Sequence, residues 1–231
     1  MILLVRRQPW LARDALHDRD GAFPYKRDGH RMGAHAVARD AAAPQSHMKT
    51  RSALSSSPND PLFALIRPES QTDHDGIRSL TARAFSGLPY SDGTEPRVID
   101  ALREAKALAV SLVAVLNERL VGHIAFSAVG PRELHGWFAL GPISVEPSFQ
   151  RLGIGTQLIN AGLGVLRTKH ASGCVLVGDH RYYRRFGFSL AAALAPSGYP
   201  AEHFQVLPFG ASFPQVVVAF HVAFSARGHF G

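Results

Sequence analysis

Cysteine is almost absent from this sequence, since Cys174 is the only one among 231 residues. A single thiol excludes an intrachain disulfide and a cysteine-ligated metal cluster, and it favours a reducing, cytoplasmic setting. The twelve histidines show no spacing typical of metal ligands, so no metal is predicted. Long apolar runs are absent too, because none approaches the roughly 20 residues that a membrane-spanning helix needs. A membrane is therefore not an expected partner.

Dense clusters of positive charge are also missing, although the formal net charge is +7. Residues 1–60 hold ten Lys and Arg against six Asp and Glu, and residues 61–231 hold fifteen against twelve. The second region is only mildly basic and has no Lys/Arg stripe interleaved with aromatic residues, which argues against a nucleic-acid partner. Its positive charge would suffice to attract a polyanionic cofactor.

Residues 1–60 lack sustained hydrophobic periodicity of a helix or a strand, which predicts a disordered extension. A targeting peptide is disfavoured because transit peptides are poor in acidic residues, and this segment contains scattered aspartates. An extended or misassigned translation start, with Met48 as the true one, is the simpler interpretation. We therefore predict that residues 1–60 are dispensable and that a single domain spans residues 61–231.

Beyond this extension the pattern alternates strands with helices. Thr72 and Asp75 resemble a capping box, and Ile77, Leu80 and Ala84 then share one helical face. The other predicted elements are a strand at Phe63–Arg67, a helix opened by Thr94, Glu95 and Pro96, a hairpin of Val110–Leu116 and Arg119–Val129, a strand at Trp137–Val145 interrupted by Gly141-Pro142, a helix ending near His170, a strand at Cys174–Val177, a short helix near residues 180–186 and a final strand at Gln215–Phe224. This order predicts an α/β (α+β) fold with a mixed sheet.

The most informative stretch is a glycine-containing turn between a strand and a helix. The strand ends at Val145, Pro147 cannot continue its ladder, and Gly153 and Gly155 lead into an amphipathic helix. Without Cβ atoms, the two glycines let backbone N–H groups converge on one point. Amides at a helix N-terminus bind phosphate with help from the helix dipole, and Arg151 can add a charge-assisted contact.

Spacing alone leaves two interpretations of this turn open. A P-loop would need Gly-Lys-Ser/Thr at the end of the turn, and a dinucleotide-binding fingerprint would need three glycines. Neither pattern is present. The turn is either a phosphate-binding site of another kind or a tight strand-to-helix connection that happens to use glycine.

The turn resembles the acetyl-CoA motif of the GNAT superfamily of N-acetyltransferases, Gln/Arg-x-x-Gly-x-Gly/Ala. Here it reads Gln150-Arg-Leu-Gly-Ile-Gly155, after a strand reading Leu140-Gly-Pro-Ile-Ser-Val-Glu-Pro147. Downstream, Val175-Leu-Val-Gly-Asp-His-Arg-Tyr-Tyr-Arg-Arg-Phe-Gly-Phe188 is similar to the strand, short helix and Gly-Phe signature that closes the family core. The two motifs have the family's order and separation, and the resemblance covers roughly residues 63–224. The sequence of the downstream motif is closest to that of a bacterial subgroup of predicted acetyltransferases.

The resemblance implies a GNAT-like mixed, splayed central β-sheet flanked by helices, with the pantetheine arm of acetyl-CoA between two diverging strands. Gly141-Pro142 suits this arrangement, since proline inside a strand marks a bulge or an edge. Backbone groups freed from sheet pairing would bond the pantetheine amides, and an N–H near the bulge would polarise the thioester carbonyl. The implied acetyl-CoA-binding residues are Ile143, Ser144, Val145, Gln150, Arg151, Leu152, Gly153, Ile154, Gly155 and Thr156.

The resemblance also implies direct attack of a neutral amine on the thioester. Tyr183 lies four residues before Gly187, the position of the family's recurrent tyrosine acid, and would protonate the departing thiolate. Tyr182 is the alternative register, and an aromatic side chain that merely holds the short helix is the alternative role. For the base, Glu133, His135 and water all stay open.

Two further side chains have simpler interpretations. Asp179 precedes the short helix and is predicted to be its N-cap, while Cys174 lies in an apolar strand and is predicted to pack in the core. The expected function is transfer of an acetyl group from acetyl-CoA to the primary amine of a small molecule. Acetylation of a protein N-terminus or lysine and a non-catalytic acyl-CoA sensor are the alternatives, and a homodimer is left open.

Overall fold

The computed structural model describes residues 63–210 and 212–225. The predicted extension at residues 1–60, including Met48, lies outside these residues. The strands of the described part are β1 (Leu65–Pro68), β2 (Leu108–Leu116), β3 (Arg119–Ala128), β4 (Trp137–Val145), β5 (Gly173–Val177), β6 (Ser189–Leu190) and β7 (Phe204–Pro208). Its α-helices are α1 (His74–Phe85), α2 (Glu95–Glu104), α3 (Ile154–Thr168) and α4 (His180–Tyr183).

The seven strands form one mixed sheet in the order β1-β2-β3-β4-β5-β7-β6. Strands β1 to β4 are antiparallel neighbours, β4 and β5 run parallel, and β7 pairs antiparallel with both β5 and β6. The predicted hairpin is confirmed, with Asn117 and Glu118 at positive φ between β2 and β3. The predicted mixed, splayed sheet flanked by helices is confirmed as well.

Strands β4 and β5 pair over a short stretch and then separate. Their paired residues run from Trp137 opposite Gly173 to Ala139 opposite Val175, so the second half of β4 has no β5 partner. In that half, Gly141 and Pro142 add one residue to β4 relative to β3, which is the predicted bulge. The strand continues through these two residues to Val145.

The two faces of the sheet are covered by different helices. Helix α3 packs so closely on one face that a Cβ at Gly162 would overlap the ring of Phe126 on β3. On the opposite face, Ser144 Oγ of β4 donates a hydrogen bond of 3.0 Å to Thr81 Oγ1 of α1. Helix α2 lies on this second face too, where its Val98 and Leu102 are fully buried.

Two sequence-based predictions about secondary structure are wrong. The box at the start of α1 is formed by Ser70 and Asp73 rather than by Thr72 and Asp75, because a 3₁₀ turn precedes the helix. Residues 215–224 form no strand of the sheet, and Ala219 makes only an isolated bridge with Gly130. Val218, Ala223 and Phe224 of this segment are buried against α2 and the sheet face instead. The sheet is completed by β7 and β6, which the sequence pattern did not predict.

None of the helices in the described part of the chain is long and apolar enough to cross a membrane. Within the same residues, no group of three or more His, Cys, Asp or Glu side chains is placed to hold a metal ion.

Candidate active site

A cavity of about 530 Å³ lies where helix α3 begins. Its walls come from the end of α1, the unpaired half of β4, the glycine turn and the α4 segment. The lining residues are Ala84, Phe85, Ile143, Val145, Gln150, Arg151, Gly153, Gly155, Thr156, Tyr182 and Arg185. A volume of this size is typical of a small-molecule or cofactor site.

The glycine turn gives the cavity its floor of backbone amides. Gly153 is the N-cap of α3 with φ of 87°, and Arg151 also lies in the left-handed region with φ of 65°. The first N–H groups of a helix have no intrahelical acceptor, so those of α3 are available for an anion. At Gly155 an added Cβ would lie 3.1 Å from the Tyr182 hydroxyl, and the absence of a side chain keeps this approach open.

Gln150 ties the turn to the end of β4. Its Nε2 donates a hydrogen bond of 3.1 Å to the carbonyl oxygen of Val145. One of the carbonyl groups expected to be free for pantetheine therefore has a partner within the protein. The contact fixes the position of the turn relative to the unpaired half of β4.

Arg185 brings a second cation to the cavity and is held by two contacts. Its guanidinium lies 4.3 Å from the ring centroid of Tyr182, and its Nη2 donates a hydrogen bond of 3.1 Å to Thr156 Oγ1. With Arg151, it provides positive charge around the N-terminus of α3, and the combination suits a phosphorylated ligand.

Comparison with known proteins assigns the chain to a family. The sequence model of the Acetyltransferase (GNAT) family matches residues 75–188. The uncharacterized N-acetyltransferase YhbS of Escherichia coli K12 is 36% identical over 130 residues, which are 55% of this chain and 75% of YhbS. This chain belongs to the GNAT family of acetyltransferases.

Solved structures of GNAT proteins agree with the fold. A GNAT acetyltransferase from Brucella melitensis, solved in complex with acetyl-CoA, is 46% identical with a TM-score of 0.62, and the match covers 70% of this chain and 98% of that one. YhbS from Escherichia coli, solved with CoA, is 30% identical with a TM-score of 0.62, covering 73% and 93%. The predicted acetyl-CoA-dependent N-acetyltransferase is thus confirmed at the level of the GNAT family. The acceptor amine stays a prediction.

Most of the GNAT cofactor residues predicted from the sequence line the cavity, and three do not. Ser144 directs its side chain to the opposite face of the sheet, where it bonds Thr81. Leu152 is about half exposed outside the cavity, and Ile154 is buried in the core beneath α3. Their side chains therefore play no part in the lining. The motif did not point to Ala84, Phe85, Tyr182 and Arg185, which reach the cavity from distant elements.

The two adjacent tyrosines of α4 have different surroundings. Tyr182 lines the cavity, whereas Tyr183 is fully buried behind it and packs edge-on against Tyr182 with ring centroids 5.0 Å apart. The Tyr183 hydroxyl has no hydrogen-bond partner among the described residues. Burial raises the pKa of its phenol well above the usual value, so the group stays protonated at neutral pH. Its role as the GNAT acid stays a prediction.

The other candidates from the sequence are also placed by the structure. Glu133 and His135 are exposed in the turn before β4 and do not line the cavity, and a base role for either stays a prediction. Asp179 caps α4 by accepting a hydrogen bond of 2.9 Å from the Arg181 amide, as predicted. Cys174 is buried in β5, where burial raises the pKa of its thiol and favours the packing interpretation.

Proposed function

We propose that this GNAT acetyltransferase moves the acetyl group of acetyl-CoA to the primary amine of a small molecule, with both substrates bound at once. The observation that carries the proposal is the cavity that joins the N-terminus of α3 to the unpaired half of β4. An anion site and a free strand edge next to each other match the two ends of the cofactor's phosphopantetheine arm.

The residues present fit the phosphate end of acetyl-CoA. The pyrophosphate would accept hydrogen bonds from the first amides of α3, and Gly153 and Gly155 let it approach the backbone. Arg151 and Arg185 would balance its charge from two sides of the cavity. This arrangement uses three of the seven predicted cofactor residues that line the cavity, namely Arg151, Gly153 and Gly155.

The pantetheine end would lie along β4. Ile143 and Val145 line the cavity on the part of β4 that has no β5 neighbour. A pantetheine arm there would pair with the free strand edge as an added strand does. The thioester would then lie in the gap between β4 and β5, near the buried hydroxyl of Tyr183.

Tyr183 would act as the acid for the CoA thiolate. Burial keeps the proton on its phenol at neutral pH, so a proton is present to donate, and its hydroxyl has no competing partner in the described residues. Acetyl-CoA supplies the activated acetyl group, and the protein positions the amine and handles the protons.

The test uses the purified full chain in two measurements. Calorimetry measures acetyl-CoA binding, and a thiol-release assay follows turnover with spermidine, tyramine, L-phenylalanine amide, kanamycin and two peptides that carry either a free N-terminal alanine or an internal lysine. Turnover with a small amine above the peptides is the expected result. Preference for a peptide would overturn the small-molecule acceptor, and binding without any turnover would favour a sensor.

A further inference from the structure

Glu95 is a fully buried carboxylate that forms no ion pair with a cation among the described residues. It opens helix α2, and its Oε2 accepts a hydrogen bond of 2.9 Å from Ser91 Oγ. Its Oε1 has no hydrogen-bond partner in the part of the chain that the structure describes. The charged neighbour that acts on it is Asp92, which repels a negative charge. Since a buried carboxylate is costly unless paired, a positively charged ligand is the natural complement.

Three buried hydroxyls also have no hydrogen-bond partner among residues 63–210 and 212–225, namely those of Tyr90, Ser127 and Tyr183. Burial, and then the charge of Glu95, raises the pKa of Tyr90 to about 12. The Tyr183 phenol in turn interacts electrostatically with Tyr90. Tyr90 is thus within electrostatic range of both Glu95 and Tyr183.

These hydroxyls lie on both faces of the sheet. Ser127 on β3 lies opposite Ala139, the last residue of β4 that pairs with β5, and such cross-strand neighbours share a face. Tyr90 packs against the cluster that contains Ala139 and Val175, on the α2 side of the sheet. Tyr183 packs in the cluster under α3, on the other side. Ser127 therefore lies at the end of the β4–β5 pairing, on the face covered by the helix that Glu95 opens.

We propose that Glu95 is the acceptor-binding carboxylate of this enzyme and the base that takes a proton from the amine. The inference rests on the proposed function, and it specifies the acceptor as a primary amine that enters as an ammonium ion. An ammonium has three N–H donors and one positive charge. Glu95 Oε1 and the hydroxyls of Tyr90 and Ser127 supply three acceptors, and Glu95 supplies the opposite charge.

The chemical step balances in atoms and protons. The Glu95 carboxylate takes one proton from the ammonium, and the freed lone pair attacks the thioester carbonyl to form the C–N bond. The C–S bond breaks, Tyr183 gives its phenolic proton to the CoA thiolate, and the surplus proton of the new amide nitrogen restores the phenol. The products are the N-acetyl amide, the CoA thiol and one proton, which Glu95 releases to solvent.

The titratable surroundings of Glu95 come from a few elements. Tyr90 and Asp92 act on it from the connection between α1 and α2, and β4 and the turn Val222–Ser225 carry no ionisable side chain. Several charged side chains of α1 and α2 form ion pairs with groups other than Glu95. The pairs are His74–Glu69, Arg103–Glu69, Arg103–Asp100, Arg78–Asp75, Arg78–Asp100 and Arg83–Glu146. The pH response of the Glu95 site therefore reports on the carboxylate and its ligand.

The test compares Glu95→Gln and Glu95→Asp with Glu104→Gln, an exposed position on the same helix. Its probe is the amine of the stated panel with the highest kcat/KM in the wild type. Loss of a general base predicts a fall in kcat/KM of about 10²–10⁴-fold in Glu95→Gln, with acetyl-CoA affinity and thermal midpoint not lowered. The acid limb of the pH profile, set by Glu95 in the wild type, should move to the higher pH at which the amine loses its proton unaided. Glu95→Asp should have a kcat/KM between those of Glu95→Gln and the wild type, and its acid limb should lie closer to that of the wild type. Glu104→Gln should match the wild type in both.

Each contrary outcome has a distinct meaning. If the wild type turns over an amine and Glu95→Gln keeps both kcat/KM and the acid limb, the inference fails while the proposed function stands. A loss of rate that accompanies an equal loss of stability, with the acid limb in place, assigns Glu95 a structural role and also overturns it. No turnover of any amine by the wild type would overturn the proposed function and this inference together. If Glu95→Gln does not fold, the acid limb of Glu95→Asp and Tyr90→Phe decides the question.

Discussion

The surroundings of two glutamates on the α1–α2 side of the sheet shift the pKa values of their carboxyl groups in opposite directions. Glu69 accepts hydrogen bonds of 2.9 and 3.0 Å from the Arg103 guanidinium and one of 2.6 Å from Ser111 Oγ, with His123 Nε2 3.6 Å away. These partners hold the pKa of its carboxyl well below the usual range, against the opposing effect of burial. Burial dominates at Glu95, which pairs with no cation in the described part of the chain, and raises the pKa of that carboxyl.

The difference separates structural charge from functional charge. A carboxylate whose partners are all within the chain stabilises the fold and has nothing left to offer a ligand. One that is buried without a counter-ion costs stability, and such sites are maintained where a ligand completes them. Variants on the two sides should therefore divide between loss of stability and loss of activity.

The largest effect is expected at Tyr183, on the unpartnered side. Tyr183→Phe removes one hydroxyl with little change in packing, so acetyl-CoA affinity should persist. The kcat should fall by about 10²–10⁴-fold where chemistry limits turnover, with a similar fall in kcat/KM. Steady-state thiol release and calorimetry measure the two quantities. Tyr182→Phe is the matched control and should lose less kcat, and full turnover in Tyr183→Phe would contradict the acid role.

A large loss of stability is expected at Glu69. Glu69→Gln removes one of the two carboxylates that pair with Arg103, the other being Asp100, so the free energy of unfolding should fall by about 1.5–3 kcal/mol, as for a lost hydrogen bond to a charged group. The folded pKa of Glu69 lies below the unfolded value of about 4.3, so its contribution is present above that pH and is lost as the pH falls. Urea unfolding from neutral pH to below pH 4 should show a shallower acid dependence in the variant. An unchanged free energy of unfolding would remove the contrast with Glu95.

An intermediate effect is expected at the glycine turn, where binding should change and stability should not. In Gly155→Val the Cβ already meets the Tyr182 hydroxyl at 3.1 Å, and its branches would occupy the cavity. A displaced phosphate would lose hydrogen bonds to the first amides of α3, which are worth about 1.5–3 kcal/mol for a charged group, so the Kd for CoA should rise by roughly 10- to 100-fold. Calorimetry is the measurement. Gly164→Val, on the same helix with open space around it, is the control, and equal CoA affinity in the two variants would disprove the phosphate assignment.

The smallest effect is expected for the stability of Glu95→Gln. Its free energy of unfolding should rise, whereas that of Glu69→Gln should fall. The folded pKa of Glu95 is raised, so its contribution to stability is complete below the unfolded pKa and is lost as the pH rises through the folded one. At neutral pH the glutamine should therefore raise the free energy of unfolding by about 1 kcal/mol, as removal of a functional strain does. Thermal unfolding at neutral and acidic pH tests this, and a clear loss of stability at neutral pH would contradict it.

The cofactor side could be predicted from the sequence because its geometry is local. Gly153 and Gly155 are two residues apart, and the helix that they open has its own periodicity, so one short segment contains the whole signal. The acceptor side could not be predicted. Tyr90 and Ser127 come from two distant segments, and Glu95 looks like any acidic residue in the first turn of a helix until packing closes around it, whereas Tyr183 could be predicted only through the family resemblance.

The incorrect prediction of a strand at residues 215–224 also reflects packing between distant segments. Its run of valine and phenylalanine is typical of a strand, but such residues indicate burial more reliably than they indicate sheet pairing. Here Val218 is buried and Phe220 packs edge-on against Tyr199 with ring centroids 4.8 Å apart, while Ala219 bridges to Gly130 alone. Tertiary packing satisfies the apolar side chains without a place in the sheet.

The short pairing between β4 and β5 also affects which part of the sheet unfolds locally first. Three residue pairs join the antiparallel half β1–β4 to the half made of β5, β7 and β6, so the seam between these two halves is a weak line of the sheet. Local opening follows such lines, and amide hydrogens of β5 and β7 would exchange earlier than those of β2 and β3. A ligand lying along that seam would join the halves, so occupancy by acetyl-CoA should slow exchange across the entire β5–β7 side rather than only at the residues it touches.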